Sequence, residues 1–260
     1  MQLLEKAELL QLPFFQCFFI RQDTGKLVSV SAQEIKNFQS IRRAHYSDLF
    51  CHGSYWINLA SLGNNGVYSL RREIMLAKRL EFTHFLLHPG TANGALDKND
   101  GIDILAQCLN SIIKREKNIT IVLENTCHAK LTVGSDILDF KLLLEKIDRP
   151  ERLGFCIDTA HAYSFGYNIK NDQEQDDFIA LLQACIGIER IVLLHLNDIA
   201  NPLGSRLDQH SVPGEGSIGI QALSRFAMHP LLKHIPLLLE LPELPLEQEQ
   251  SILDIVRLWK

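Results

Sequence analysis

The chain repeats one unit: a short apolar run, then a longer stretch with apolar residues at helical spacing. The runs cover 14–20, 49–52, 83–88, 119–124, 153–158, 191–196 and 235–240. Several are rich in Ile, Val, Phe and Leu without polar alternation, as in parallel strands covered on both faces. The stretches 67–80, 102–116, 135–147, 173–186, 219–228 and 246–259 carry the helical period. Strand then helix, repeated, predicts an α/β fold of βα units, and right-handed crossovers then leave a closed barrel or an open doubly wound sheet. Seven strands are visible where a closed barrel needs eight. Residues 1–13 read as a helix leading into Phe14, so the missing strand is either absent or replaced. No long linker, low-complexity tract or internal repeat interrupts the 260 residues, which predicts a single domain over 1–260.

What each run ends in is more informative than the runs themselves. His52 closes the second, His88 the third, Glu124 the fourth and Asp158 the fifth, with His161 three residues on. His195 sits near the end of the sixth, and Glu240 closes the seventh. In a barrel these ends share one face, which carries the active site, so residues distant in sequence converge. Imidazole and carboxylate suit zinc, and they also suit manganese or iron. A carboxylate can bridge two ions, and paired ions clamp the attacking and leaving oxygens of a phosphoryl displacement. Asp208-Gln209-His210 adds a pair, because residues two apart in extended backbone point the same way.

Taken singly, each residue has a plainer reading. A lone His after an apolar run is more often a hydrogen-bonded rim histidine, and Asp158 could be a helix cap alone. Six strand ends carrying nothing but His, Asp or Glu would need six unrelated reasons, and unpaired buried carboxylates are costly. Metal binding accounts for the set. His84, His128, His229 and His234 lie off the pattern and read as structural or surface residues. Tyr55 and Trp56, three and four residues after His52, either pack under the rim or stack on nucleic-acid bases. Arg206 either touches a phosphate or pairs with a carboxylate.

Composition adds limits. The net charge of −5 is unlike the basic patch of most phosphate-gripping proteins, although bound cations would offset it locally. The six cysteines form no C-x-x-C pair and read mainly as buried small hydrophobes in a reducing, cytoplasmic setting. No run approaches a membrane span, and the first residues do not form a signal peptide.

Together the motifs resemble the endonuclease IV family. They are His52-Gly53-Ser54-Tyr55-Trp56-Ile57-Asn58-Leu59, His88-Pro89-Gly90, Leu123-Glu124-Asn125-Thr126 and Cys156-Ile157-Asp158-Thr159-Ala160-His161-Ala162. His195-Leu196-Asn197-Asp198, Gly204-Ser205-Arg206-Leu207-Asp208-Gln209-His210 and Gly214-Glu215-Gly216 follow in the family's order. The resemblance implies a TIM (β/α)8-type barrel with a metal-site core over 48–242 and a divergent part over 1–47. It implies a zinc-dependent DNA repair endonuclease, acting as a monomer on the phosphodiester 5′ to abasic sites in double-stranded DNA. Three zinc ions are implied, with manganese admissible in part. His52, His88 and Glu124 would hold the first; Glu124, Asp158, His195 and Glu240 the second; His161, Asp208 and His210 the third. Glu124 and Glu240 would be the catalytic carboxylates, and Tyr55, Trp56 and Arg206 the DNA contacts.

The N-terminal part departs from that pattern. The family opens with a strand carrying Gly-x-His-x-Ser, which Met1–Pro13 does not match, and its Arg/Trp loop is here Arg21-Gln22-Asp23-Thr24-Gly25-Lys26. Two other functions share the residues. A sugar isomerase or epimerase of the xylose-isomerase-like barrels would use one metal on Glu124, Asp158, His195 and Glu240. A catalytically impaired DNA-binding remnant would keep the metals without turnover.

Overall fold

A computed structural model describes residues 2–21, 24–63, 66–128 and 130–259. Gln22 and Asp23 of the divergent loop lie outside the described residues, as does Met1. Seven parallel strands form a nearly closed barrel with helices outside it. The strands are β1 (Gln16–Phe18), β2 (Phe50–His52), β3 (His84–Leu87), β4 (Thr120–Glu124), β5 (Leu153–Asp158), β6 (Ile191–His195) and, last in the chain, β9 (Leu237–Leu238). Between the last two, β7 (Asp198–Ile199) and β8 (His210–Ser211) form an antiparallel ribbon. All seven predicted strands are present, although the first and last ladders are much shorter than the apolar runs that announce them.

The barrel interior follows from the two-residue period of a strand. Phe50, Leu86, Val122, Cys156 and Leu193 form one buried cluster, with Phe14 and Leu238 against it. Each comes from a different run, and together they plug the barrel. Two residues further along every run, on the same face, stand Gln16, His52, His88, Glu124, Asp158, His195 and Glu240. Register staggers this second layer: Asp158 and His195 are direct partners, whereas His52 pairs with Phe18 and Leu86, and Glu124 with Cys156 of the plug. The other strand faces join the larger core under the helices, where Leu49, Phe85, Leu123, Phe155 and Leu194 are fully buried.

The helices are α1 (Gln2–Leu9), α2 (Ala32–His45), α3 (Val67–Arg79), α4 (Lys98–Arg115), α5 (Leu138–Leu144), α6 (Thr159–Phe165), α7 (Asp172–Cys185), α8 (Ile220–Met228) and α9 (Leu246–Arg257). Two of them, α2 and α6, are absent from the sequence reading. In α2 only Ile35 is buried, so its apolar stripe is thin. Its start is nonetheless written in the chain: Ser31 accepts from the Glu34 amide and Glu34 from the Ser31 amide, a capping box.

Among the described residues β1 and β9 are not joined by a backbone ladder. At the seam α1 faces α9 through the Lys6–Glu249 ion pair at 2.7 Å. A cavity of about 710 Å³ lies between, lined by Leu3, Ala7, Leu10, Leu237, Leu253 and Val256 among others. At the site end a side-chain bond spans the seam, Gln16 Nε2 donating to Glu240 Oε1 at 2.9 Å. No described helix is long and apolar enough to cross a membrane.

Candidate metal centre

The layer above the plug, joined by His161 of α6 and by Asp208 and His210 at the entry to β8, brings all nine predicted ligand residues to one place. Glu124, fully buried at the end of β4, is its hub. Its Oε2 faces His52 Nε2 at 3.2 Å and His88 Nε2 at 3.4 Å. Its Oε1 faces His195 Nδ1 at 3.0 Å. His195 Nδ1 also lies 3.8 Å from Asp158 Oδ2 and 3.4 Å from Glu240 Oε2. On the third side His161 Nε2 and His210 Nε2 each lie 3.2 Å from a different oxygen of Asp208. Three donor groups follow: His52, His88 and Glu124; Glu124, Asp158, His195 and Glu240; and Asp158, His161 and His210, with the ligand atoms of each group within 4.8 Å of one another. The first and second match the sets implied by resemblance. The third gathers Asp158 to His161 and His210, with Asp208 beside both.

Several observations say that these residues fit cations. Among the described residues, every ion-pair partner of Glu124, Asp158, Asp208 and Glu240 is a histidine, although Glu124 and Asp158 are fully buried. Buried carboxylates of one sign need compensation. His210 Nε2 is buried and makes no hydrogen bond among the described residues, even with Asp208 beside it. The outward nitrogens, by contrast, are engaged. His52 Nδ1 donates to the Gly53 carbonyl at 2.7 Å and His161 Nδ1 to the Asn125 carbonyl at 2.8 Å. A carbonyl can only accept, so each outward nitrogen carries a proton and the inward one, turned toward the carboxylates, is the nitrogen a cation would take, the usual arrangement behind metal-binding imidazoles.

Within the cluster, histidines and carboxylates offset one another in part. Burial opposes ionisation of Glu124, but His195 and His88 hold its carboxyl well below the usual range. Burial likewise opposes protonation of His161 and His195; Asp158 lifts the first, and Cys156 with Glu240 the second, well above 6.5. Asp208 is pulled down, against burial, by His161 and His210.

The plain reading of Asp158 is also correct. Its Oδ1 caps α6 by accepting from the His161 amide at 2.7 Å, while its Oδ2 turns toward His195 and His210. Capping aims one oxygen and frees the other. Of the two residues predicted in extended backbone, His210 opens β8, whereas Asp208 lies in the loop before it. Asp198 fastens the loop that follows: its carboxylate accepts from the amides of Ile199, Gly214, Gly216, Ile218 and Gly219. A Cβ on Gly216 would collide with that carboxylate, which explains the glycine there.

Two positioning residues escape the sequence reading. Gln16 Oε1 accepts from His195 Nε2 at 3.0 Å while its amide donates to Glu240. Asn197 donates to Asp158 Oδ2 at 2.6 Å and to Glu240 Oε2 at 3.3 Å, and its Oδ1 accepts from the Glu240 amide. The signal for Gln16 is its spacing, two residues after Phe14, as Glu124 stands two after Val122. Gln16→Ala is expected to weaken metal retention about 10–100-fold, the usual effect of removing a group behind the ligands. Competition with a chelator measures this, and unaltered retention would make Gln16 a mere seam contact.

Tyr55 and Trp56 do not pack under the rim: they are 62% and 75% exposed. The Tyr55 ring stands 5.7 Å from that of His88. Arg206 forms no carboxylate pair among the described residues; its guanidinium lies 3.8 Å above the Phe165 ring. His84 stacks on Phe50 at 4.5 Å, as a structural histidine should.

Comparison with known proteins agrees with this architecture. Residues 4–259 match the family described as xylose isomerase-like TIM barrel. The chain is 34% identical over 217 residues to the probable endonuclease 4 of Thermosipho africanus, covering 81% of this chain and 77% of that protein. It is 28% identical over 253 residues to apurinic-apyrimidinic endonuclease 1 of Plasmodium falciparum, covering 95% of this chain and 42% of that one. The crystal structure of endonuclease IV from Thermus thermophilus matches with a TM-score of 0.85 and 28% identity, covering 99% of this chain and 93% of that chain.

Proposed function

Because the chain belongs to the endonuclease 4 family of xylose isomerase-like TIM barrels, we propose that it is a zinc-dependent DNA repair endonuclease hydrolysing the phosphodiester 5′ to abasic sites in double-stranded DNA. The observation that carries the reading is the division of Glu124, one oxygen toward His52 and His88 and the other toward His195. A carboxylate so placed would serve two cation positions, and paired cations suit in-line phosphoryl displacement. His161, Asp208 and His210 would hold the third.

Bound there, the cations supply Lewis-acid polarisation of phosphoryl oxygens and acidify water toward neutral pH. The protein does the rest. Glu240, 21% exposed and 3.4 Å from His195, is the carboxylate at the open side and accepts a proton from the attacking water. Asn197 and Gln16 keep it aimed. Tyr55 and Trp56 offer exposed aromatic faces beside His52 for stacking on bases exposed at the lesion. Arg206, braced on Phe165, presents a fixed positive charge to the DNA backbone.

A one-metal isomerase would use Glu124, Asp158, His195 and Glu240 and leave His52, His88, His161, Asp208 and His210 without a shared task. Their convergence favours the hydrolase. The test is incision of a duplex carrying one abasic-site analogue, with native protein, chelated protein and chelated protein resupplied with zinc. The expected product is a 5′-side nick ending in a 3′ hydroxyl, lost on chelation and restored by zinc. No incision by protein shown to hold three ions would reject the reading.

A further inference from the structure

Next to the three donor groups stands a fourth of different chemistry. The loop after β4 continues through Cys127-His128, and Cys127 Sγ lies 3.8 Å from His128 Nδ1. Asp208 reaches the same spot from the loop before β8, so that one ligand atom from each of the three lies within 4.8 Å of the others. Cys127 is buried, while His128 and Asp208 are exposed. Zinc–sulfur and zinc–nitrogen bonds of about 2.3 and 2.0–2.1 Å at a tetrahedral angle put sulfur and nitrogen about 3.6 Å apart. The observed separation is close to that, so an ion could enter with little movement of either side chain.

We propose that Cys127, His128 and Asp208 form an additional divalent-cation site at the rim, distinct from the three groups of the barrel mouth and selective for zinc or a comparably thiophilic ion. Thiolate with imidazole and carboxylate is a zinc donor set, and the thiolate disfavours magnesium and calcium. Asp208 joins this site to the neighbouring group: its oxygens face His161 and His210 at 3.2 Å each, and a carboxylate has further lone pairs to share. On coordination the Cys127 sulfur forms a bond to the metal and its proton passes to solvent. Three protein ligands leave one position open on the exposed side, where water or an anion completes the shell.

None of the other three groups contains a cysteine, which makes the site separately observable. The probe is cobalt(II), added to metal-free protein. A thiolate-to-cobalt charge-transfer absorption is expected in wild-type protein, with cobalt content counted by mass spectrometry. Cys127→Ser should abolish that absorption and lower the count by one ion, whereas Cys156→Ala should retain it. Because Cys127 is buried, His128→Ala at the exposed ligand provides the independent variant and should also lose one ion. No charge-transfer band in fully loaded wild-type protein, or a band that survives Cys127→Ser, overturns the proposal. Neither readout depends on DNA cleavage, so this site can fail while the endonuclease reading stands, and the reverse.

Discussion

Glu124→Gln should lower incision by about 10²–10⁴-fold while the protein stays folded. The side chains have nearly the same shape, and residue 124 is fully buried, so packing is kept. What changes is the pattern of donors and acceptors. A carboxylate accepts through both oxygens, whereas an amide accepts through one and donates through the other. Whichever way the substituted amide turns, an N–H faces either the His52 and His88 nitrogens or His195, where an oxygen stood at 3.0–3.4 Å. One of two cation positions then loses a carboxylate oxygen, and the imidazoles around it lose one buried counter-charge. Removing one member of a buried charge pair costs about 3–5 kcal/mol, and each 1.36 kcal/mol at the transition state is tenfold in rate. Single-turnover incision together with metal counting checks this. A folded variant with full metal content and an undiminished rate would remove Glu124 from the bridging position.

Why six of the seven layer residues could be read from the chain, and one could not, is a matter of contrast. His52, His88, Glu124, Asp158, His195 and Glu240 are ionisable groups ending apolar runs, and burial makes such residues conspicuous. Gln16 occupies the same layer but is neutral and lies within the run 14–20, so only its spacing from Phe14 betrays it. In parallel strands both faces are apolar. Sequence alone therefore cannot say which half of a run fills the barrel and which half meets the helices; the polar ends set that register. Helix α2 was lost for the opposite reason, since its buried face is almost a single residue, Ile35. The Cys127–His128 pair was hidden because its third member, Asp208, lies in a loop that only folding brings near. The mildly acidic balance also has a local cause: Glu124, Asp158, Asp208 and Glu240 are gathered where bound cations would neutralise them.

Removing the metals should cost stability, and the cost should grow with pH. An ion present at a thousand times its dissociation constant stabilises the folded state by about 4 kcal/mol. For a chain of this size that is roughly 8–16 °C of Tm per ion, so chelation is expected to lower Tm by at least about 10 °C. The pH dependence follows from the cluster's own titration. In metal-free protein His161 and His195 have values well above 6.5. Their contribution is complete below 6.5 and is lost as pH rises through the raised values. Glu124 is held below its ordinary 4.5, so its contribution is present above 4.5 and is lost as pH falls through the depressed value. The metal-free cluster is therefore best paired between about 4.5 and 6.5, as imidazolium with carboxylate. Cations compete with those same protons, so their affinity rises as pH rises. The difference in Tm between loaded and chelated protein should accordingly widen from pH 6 to pH 8. Thermal melts of both forms across that range decide the matter. A difference that stays flat or narrows would mean that the buried imidazoles keep their protons when metal binds, and that the ligands assigned at residues 161 and 195 are wrong.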